Sequence, residues 1–322
     1  MSGKSILKTY TKTKNLVSVK TNDAPTIWSS LNGIINIFKP AGTSLHHVRN
    51  AIATNICKDL NEQNVRPPKK IVSIEDVSEE KYVVTLKDSL ADNVLVTGPR
   101  YQFEDVRLNV AATLGRNTSG LLLFGINDGS KLAHAIYKNK STRAYHITGK
   151  FGEATDNYFM NGKVVERATY HRIRRSNIDS LLASMQASHQ RKMFEHCGVH
   201  LESQAAYELA LKGPIRPADN KLPVLYGIKC IDFSSPFFTI EVQCINEYEQ
   251  YLLTLIHDIG YQMHSVAHCT KIKCIRYGHF HVEDSMLRHY WNLQGITNSI
   301  ATSRRILAHH PEMLKQYEPS LM

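Results

Sequence analysis

Residues 109–126 read Asn-Val-Ala-Ala-Thr-Leu-Gly-Arg-Asn-Thr-Ser-Gly-Leu-Leu-Leu-Phe-Gly-Ile. From Leu121 the stretch is an unbroken apolar run of strand length, the pattern of a strand covered on both faces. Before it, Gly115 to Gly120 is a polar turn of Gly, Asn, Thr and Ser. The stretch therefore reads as a loop that delivers its residues to the mouth of a buried strand over 120–126. It contains no acid, no Cys and no His.

Upstream, 33–38 (GIINIF) is a short apolar run that ends at Lys39-Pro40-Ala41-Gly42, a turn with two breakers. Ser44 then has the chemistry of an N-cap for a helix over about 45–60. Residues 71–100 alternate weakly and predict strands. Downstream, 131–137 reads as a helix and 145–151 as a strand. A helix is predicted over 176–187, with Ser176 as cap and Ile178, Leu181, Leu182 and Met185 at helical spacing. Phe238, Ile240, Val242 and Cys244 alternate, as in a half-buried strand. Leu252, Leu255, Ile256 and Ile259 form the stripe of a helix that Gly260 is expected to stop. Strands and helices mix without strict βαβ alternation, so the fold class is α+β (mixed α/β).

The chain has 322 residues, 42% of them hydrophobic, enough for a sizeable core. No apolar run reaches the roughly 20 residues of a membrane-spanning helix, so no membrane span is expected. Lys and Arg number 39 against 29 Asp and Glu, a net charge of +10. That balance points to a polyanion, nucleic acid above all, although organellar proteins are often basic for other reasons. Residues 1–22 hold Lys4, Lys8, Lys12, Lys14 and Lys20 with no acid before Asp23. They read either as a basic arm or as a matrix-targeting presequence that lacks Arg. The six cysteines form no CxxC and read as reduced core thiols. His264, His268, Cys269, Cys274, His279 and His281 cluster in sequence, but adjacent His and Cys point poorly at one ion. No metal site is assigned.

Four segments together resemble one family, the TruB-type RNA pseudouridine synthases, in their short mitochondrial branch. They are 33–44 (GIINIFKPAGTS), the turn ending in Ser119-Gly120, 143–147 (RAYHI) with 152–156 (GEATD), and 204–217 (QAAYELALKGPIRP). Each is common alone; four in order over residues 32–295 are specific. The resemblance implies a pseudouridine-synthase-like, mainly antiparallel mixed sheet flanked by helices, with a central cleft. It divides the chain into an arm at 1–31, the synthase-like domain at 32–295 and a helical tail at 296–322. It implies a base flipped from structured RNA, an Asp carboxylate that drives cleavage of the N1–C1′ bond, and rejoining through C5. No metal or organic cofactor is implied.

Two positions depart from the family pattern. The family's Leu-Asp is Leu114-Gly115 here, and its later Tyr-x-Arg is Tyr251-Leu252-Leu253. The acid position is Gly115 and its Arg partner position is Leu253, so an ion pair is lost as a unit. On the RNA-facing side Lys39, Arg143, Tyr145 and Lys212 are the candidate binding residues, with Tyr145 in the place of the base-stacking tyrosine. The expected partner is RNA, tRNA-like or mitochondrial mRNA or rRNA, with protein partners in RNA-processing granules. The expected location is the mitochondrial matrix, with cytoplasm or nucleus as alternatives. Three functions stay open: an active uridine isomerase, a catalytically silent RNA-binding chaperone or assembly factor, and an obligate subunit of a partner synthase.

Overall fold

The structure is a computed structural model that describes residues 21–65, 70–78, 81–89, 94–211, 215 and 222–316. Its strands are β1 (Gly33–Lys39), β2 (Lys70–Ser78), β3 (Lys81–Asp88), β4 (Leu108–Val110), β5 (Thr118–Ile126), β6 (Arg143–Phe151), β7 (Glu153–Thr155), β8 (Val164–Arg167), β9 (Val224–Ser234), β10 (Phe237–Ile245), β11 (Ala267–Tyr277) and β12 (Phe280–His281). The helices are α1 (Ala24–Ser30), α2 (Leu45–Asn61), α3 (Val94–Thr97), α4 (Gly129–Asn139), α5 (Arg175–His196), α6 (Gln204–Leu211), α7 (Glu249–Gln262) and α8 (Leu293–His309).

One eight-stranded sheet runs in the order β1-β5-β11-β6-β10-β9, with β4 also on β5 and β12 on β11. Only the β5–β11 pairing is parallel, so the sheet is mixed and mainly antiparallel, as the α+β expectation had it. All nine residues of β5 are buried, because β1 covers one edge and β11 and β4 share the other. Gly120 lets β11 come close: at φ +111° its missing Cβ would lie 2.1 Å from the Cys274 carbonyl oxygen. The pairing Lys39↔Gly120 and the bond from Gly42 N–H to the Arg116 carbonyl (2.9 Å) set the Lys-Pro-x-Gly turn beside the 115–120 turn.

Local signals placed several elements. Ser44 caps α2, its Oγ accepting from His47 N–H at 3.2 Å. Phe238, Ile240, Val242 and Cys244 point inward from β10. Other expectations are corrected. Ser176 lies inside α5, whose cap residue is Arg174, and the Ser176 hydroxyl bonds the Asn177 side chain instead. That helix continues to His196, beyond the apolar stripe that defined it. Gly260 does not stop α7; it sits within the helix and lets the Ala267 backbone approach. Residues 293–309 form α8, whose Ile296, Ile300 and Leu307 join the main core. Likewise α1 docks through the fully buried Ala24 and the adjoining Leu31, while residues 1–20 of the expected arm lie outside the described residues. Among the described residues no helix is long and apolar enough to cross a membrane.

Candidate functional site

The 115–120 turn, the first strand residues of β6 and the start of α7 meet at one small cleft. Thr113, Leu114, Gly115 and Thr118 line one wall, Tyr145 the floor, and Glu247, Tyr248, Glu249 and Leu252 the other wall. The free space is about 10 Å³, room for about one water. A flipped base enters only if the walls part.

The turn carries no acid, yet a carboxylate stands in it. Glu249, the first residue of α7, reaches across the cleft. Its Oε2 accepts from Thr118 N–H at 2.9 Å and from Thr118 Oγ1 at 2.7 Å, and its Oε1 accepts from Asn117 N–H at 3.3 Å. A Cβ built on Gly115 would lie 1.9 Å from Oε2, 2.2 Å from Cδ and 2.5 Å from Cβ of Glu249. The side chain absent at 115 is therefore replaced in space by one arriving from the opposite wall. Its position in the first turn of a helix suits a negative charge.

Tyr145 is 2% exposed. It stands in β6 between Val242 of β10 and Cys274 of β11, and its hydroxyl donates to Glu247 Oε1 at 2.5 Å. The same oxygen is ion-paired with Arg143 Nε, while Arg143 Nη1 donates to the Thr113 carbonyl at 3.1 Å. The guanidinium also stands 5.9 Å from the Tyr145 ring centre and 5.6 Å from that of Tyr277. Burial holds the Tyr145 hydroxyl well above the usual phenol range, so it stays a donor. A buried cation–carboxylate pair thus exists at this cleft, on Arg143 and Glu247 rather than on residues 115 and 253.

Lys39 faces inward. It is 0% exposed, and its ammonium donates to the carbonyls of Pro40 (3.1 Å), Arg116 (3.1 Å) and Thr118 (2.8 Å). It ties the two turns together and has no open face for a phosphate. Burial pushes its pKa down to about 8, against the opposing pull of Glu249. Leu253 is 4% exposed and packs in the core with Leu252, Leu255 and Ile256. Lys212 lies outside the described residues.

The His and Cys residues of 264–281 do not converge. His268 Nδ1 meets the Glu153 carbonyl at 2.9 Å. Burial pushes the Cys269 and Cys274 thiols up to about 12, so they remain protonated. His279 meets His310 and Glu312 instead, with the imidazoles stacked 3.5 Å apart and 1° from parallel. An ion in the plane of one ring lies out of the plane of the other, so the stacked arrangement is a poor ligand set.

Sequence reading missed Glu247 and Glu249. The available signal was two acids at alternate positions just before the apolar stripe of α7, a place where helix N-termini favour carboxylates.

Comparison with known proteins shows the family of the chain. Residues 100–249 match the TruB family pseudouridylate synthase N-terminal domain. The chain is 36% identical over 288 residues to "Pseudouridylate synthase TRUB2, mitochondrial" of Xenopus tropicalis, covering 87% of this chain and 88% of that one. The human protein of the same name is 32% identical over 300 residues, covering 91% and 89%. "tRNA pseudouridine synthase B" of Mesoplasma florum is 22% identical over 198 residues, covering 61% and 68%. These likenesses place the molecule in the class of RNA pseudouridine synthases. The chain belongs to the TruB family.

Proposed function

We propose that this protein binds structured RNA in the mitochondrial matrix and isomerises a flipped-out uridine to pseudouridine in the cleft described above. The observation that carries the reading is the coexistence, in one cleft, of Tyr145 in the family's tyrosine position and carboxylates facing the 115–120 turn. Extruding a base costs a few kcal/mol, which an aromatic face and a basic surface offset. The net charge of +10 supplies the attraction to phosphate. The reaction neither gains nor loses atoms: N1–C1′ breaks, C5–C1′ forms, a proton leaves C5 and one joins N1. It requires no redox step, metal or organic cofactor. The lysine-rich, acid-free first 22 residues and the word "mitochondrial" in the names of its relatives support the location. Arg143 serves to hold Tyr145 and the 113–118 segment rather than to contact phosphate, and Lys39 holds the two turns. Lys212 remains a candidate phosphate contact. The RNA grip comes from this domain's own basic surface or from a protein partner in an RNA-processing assembly.

Tritium release tests the reading. RNA labelled at C5 of uridine loses tritium to water as the new bond forms at C5. Mitochondrial tRNA, mRNA and rRNA from cells lacking the protein are the substrates, and mass spectrometry of the same RNAs reports the sites. Release that depends on the protein supports the reading; none from any of these pools overturns it. A second reading, RNA binding without turnover, draws on the narrow cleft and on the engagement of both Glu249 oxygens by the turn. Salt-sensitive RNA binding with no tritium release would establish it.

A further inference from the structure

We propose that Glu249 supplies the reacting carboxylate of this cleft, delivered from the first turn of α7 into the space left by Gly115. The proposal rests on the uridine-isomerase reading above and identifies the group that does its chemistry.

Gly115 and Glu249 form one steric feature. The clash at residue 115 involves not only the flexible end of Glu249 but its Cβ, 2.5 Å away, which moves only with the α7 backbone. A side chain at 115 and an extended Glu at 249 exclude each other. The Thr118 N–H and hydroxyl fix Oε2 at 2.9 and 2.7 Å, while Oε1 has a single long contact, to Asn117 N–H at 3.3 Å. Oε1, with one contact that is longer than those to Oε2, is the oxygen less tightly held by the turn and the one that would turn to a ribose. Orientation by fixed donors is what gives a carboxylate a defined line of attack.

The other acid of the cleft is differently placed. The Glu247 side chain is 1% exposed, and its Oε1 holds both Arg143 and Tyr145. It organises the floor. Glu249 is only partly buried and lines the opening. Lys39 is close enough for its proton affinity to be raised by Glu249, so a cation stands behind the carboxylate without bonding to it.

The step balances. An oxygen of Glu249 bonds to C1′ as N1 departs with the glycosidic electron pair. The uracil anion turns, and C5 attacks C1′. The carboxylate leaves with its electron pair, C5 gives its proton to water, and N1 takes one from water.

The test uses the full chain, C5-tritiated RNA from cells lacking the protein, and three variants. Glu249→Gln is expected to lose roughly 100-fold in turnover, with RNA affinity and melting temperature little changed. Glu249→Gly removes the carboxylate altogether. Gly115→Asp combined with Glu249→Gly returns an acid from the other wall with the clash removed, and is expected to recover turnover above Glu249→Gly alone. Tritium release by Glu249→Gln at the wild-type rate overturns the inference and leaves the isomerase reading standing. Release by neither wild type nor variants overturns both. If Glu249→Gln does not fold, the double variant decides: turnover supports the proposal, and a folded, inactive double variant refutes it.

Discussion

The side-chain carbon that Gly115 lacks would stand 1.9 Å from Oε2 of Glu249, 134 positions along the chain from it. One residue is small because the other is long, and the turn between β4 and β5 takes its shape from both.

Gly115→Ala should therefore destabilise the protein by about 1–3 kcal/mol through overpacking. Glu249→Ala removes the acceptor of the Asn117 and Thr118 N–H groups and costs about 1–3 kcal/mol for the donors it leaves unmatched. Glu249→Gly removes the Cβ as well, so Gly115→Ala combined with Glu249→Gly should cost less than the two separate changes together by about 1 kcal/mol or more, because the alanine at 115 then has room. A urea-denaturation double-mutant cycle measures this, and strict additivity would contradict the steric account.

Arg143 and Glu247 form a buried pair that also holds Tyr145. Removing one partner strands the other, so Glu247→Ala should cost about 3–5 kcal/mol. Replacing both by apolar residues, Arg143→Met with Glu247→Leu, should cost less than Glu247→Ala alone. Equal or greater loss in the double variant, by chemical denaturation, would show that the pair is not the unit of stability.

Much of this architecture was legible in the chain. The apolar run of β5 declared a doubly covered strand, and Ser44 declared the start of α2, because both signals are local. The end of α5 was not legible: after Ala187 the helix carries little apolar periodicity, and nothing local distinguishes solvated helix from loop. Gly260 looked like a stop because glycine usually ends helices, whereas here it accommodates the Ala267 backbone. At the site, the turn and Tyr145 were visible as contiguous motifs. Glu249 was invisible as a turn residue because Thr118 lies 131 positions away; only closure of the sheet brings α7 to the 115–120 turn. Lys39 looked like a phosphate ligand because lysine usually sits in solvent, and only the fold reveals the three carbonyls around it.

Lys39 also gives a pH signature. Its folded pKa of about 8 lies below the ordinary 10.5, so between those values the unfolded chain binds a proton that the folded chain does not. Stability rises with pH across that window, and the gain is lost as pH falls through about 8. Compared with Lys39→Met, the wild type should gain up to about 3 kcal/mol between pH 8 and 10.5. Taking the difference between the two proteins cancels the opposing titration of the buried thiols and tyrosines. A stability difference that stays flat across this range would rule out a depressed Lys39.

Leu253 stands where the family resemblance implies an arginine, and it packs on the buried side of α7 beside Leu252, Leu255 and Ile256. The acid such an arginine would pair with is absent at 115, and Glu247 is already paired with Arg143. Leu253→Arg should therefore bury an unpartnered charge and destabilise the protein by about 3 kcal/mol or more. Leu253→Met, which conserves volume, should cost less than about 1.5 kcal/mol. Thermal and urea melts of the two variants distinguish a packing residue from a vacant charge site. If Leu253→Arg melted with the wild type, the guanidinium would have found a carboxylate partner in the cleft, and Glu249 would be the first residue to examine by a second substitution.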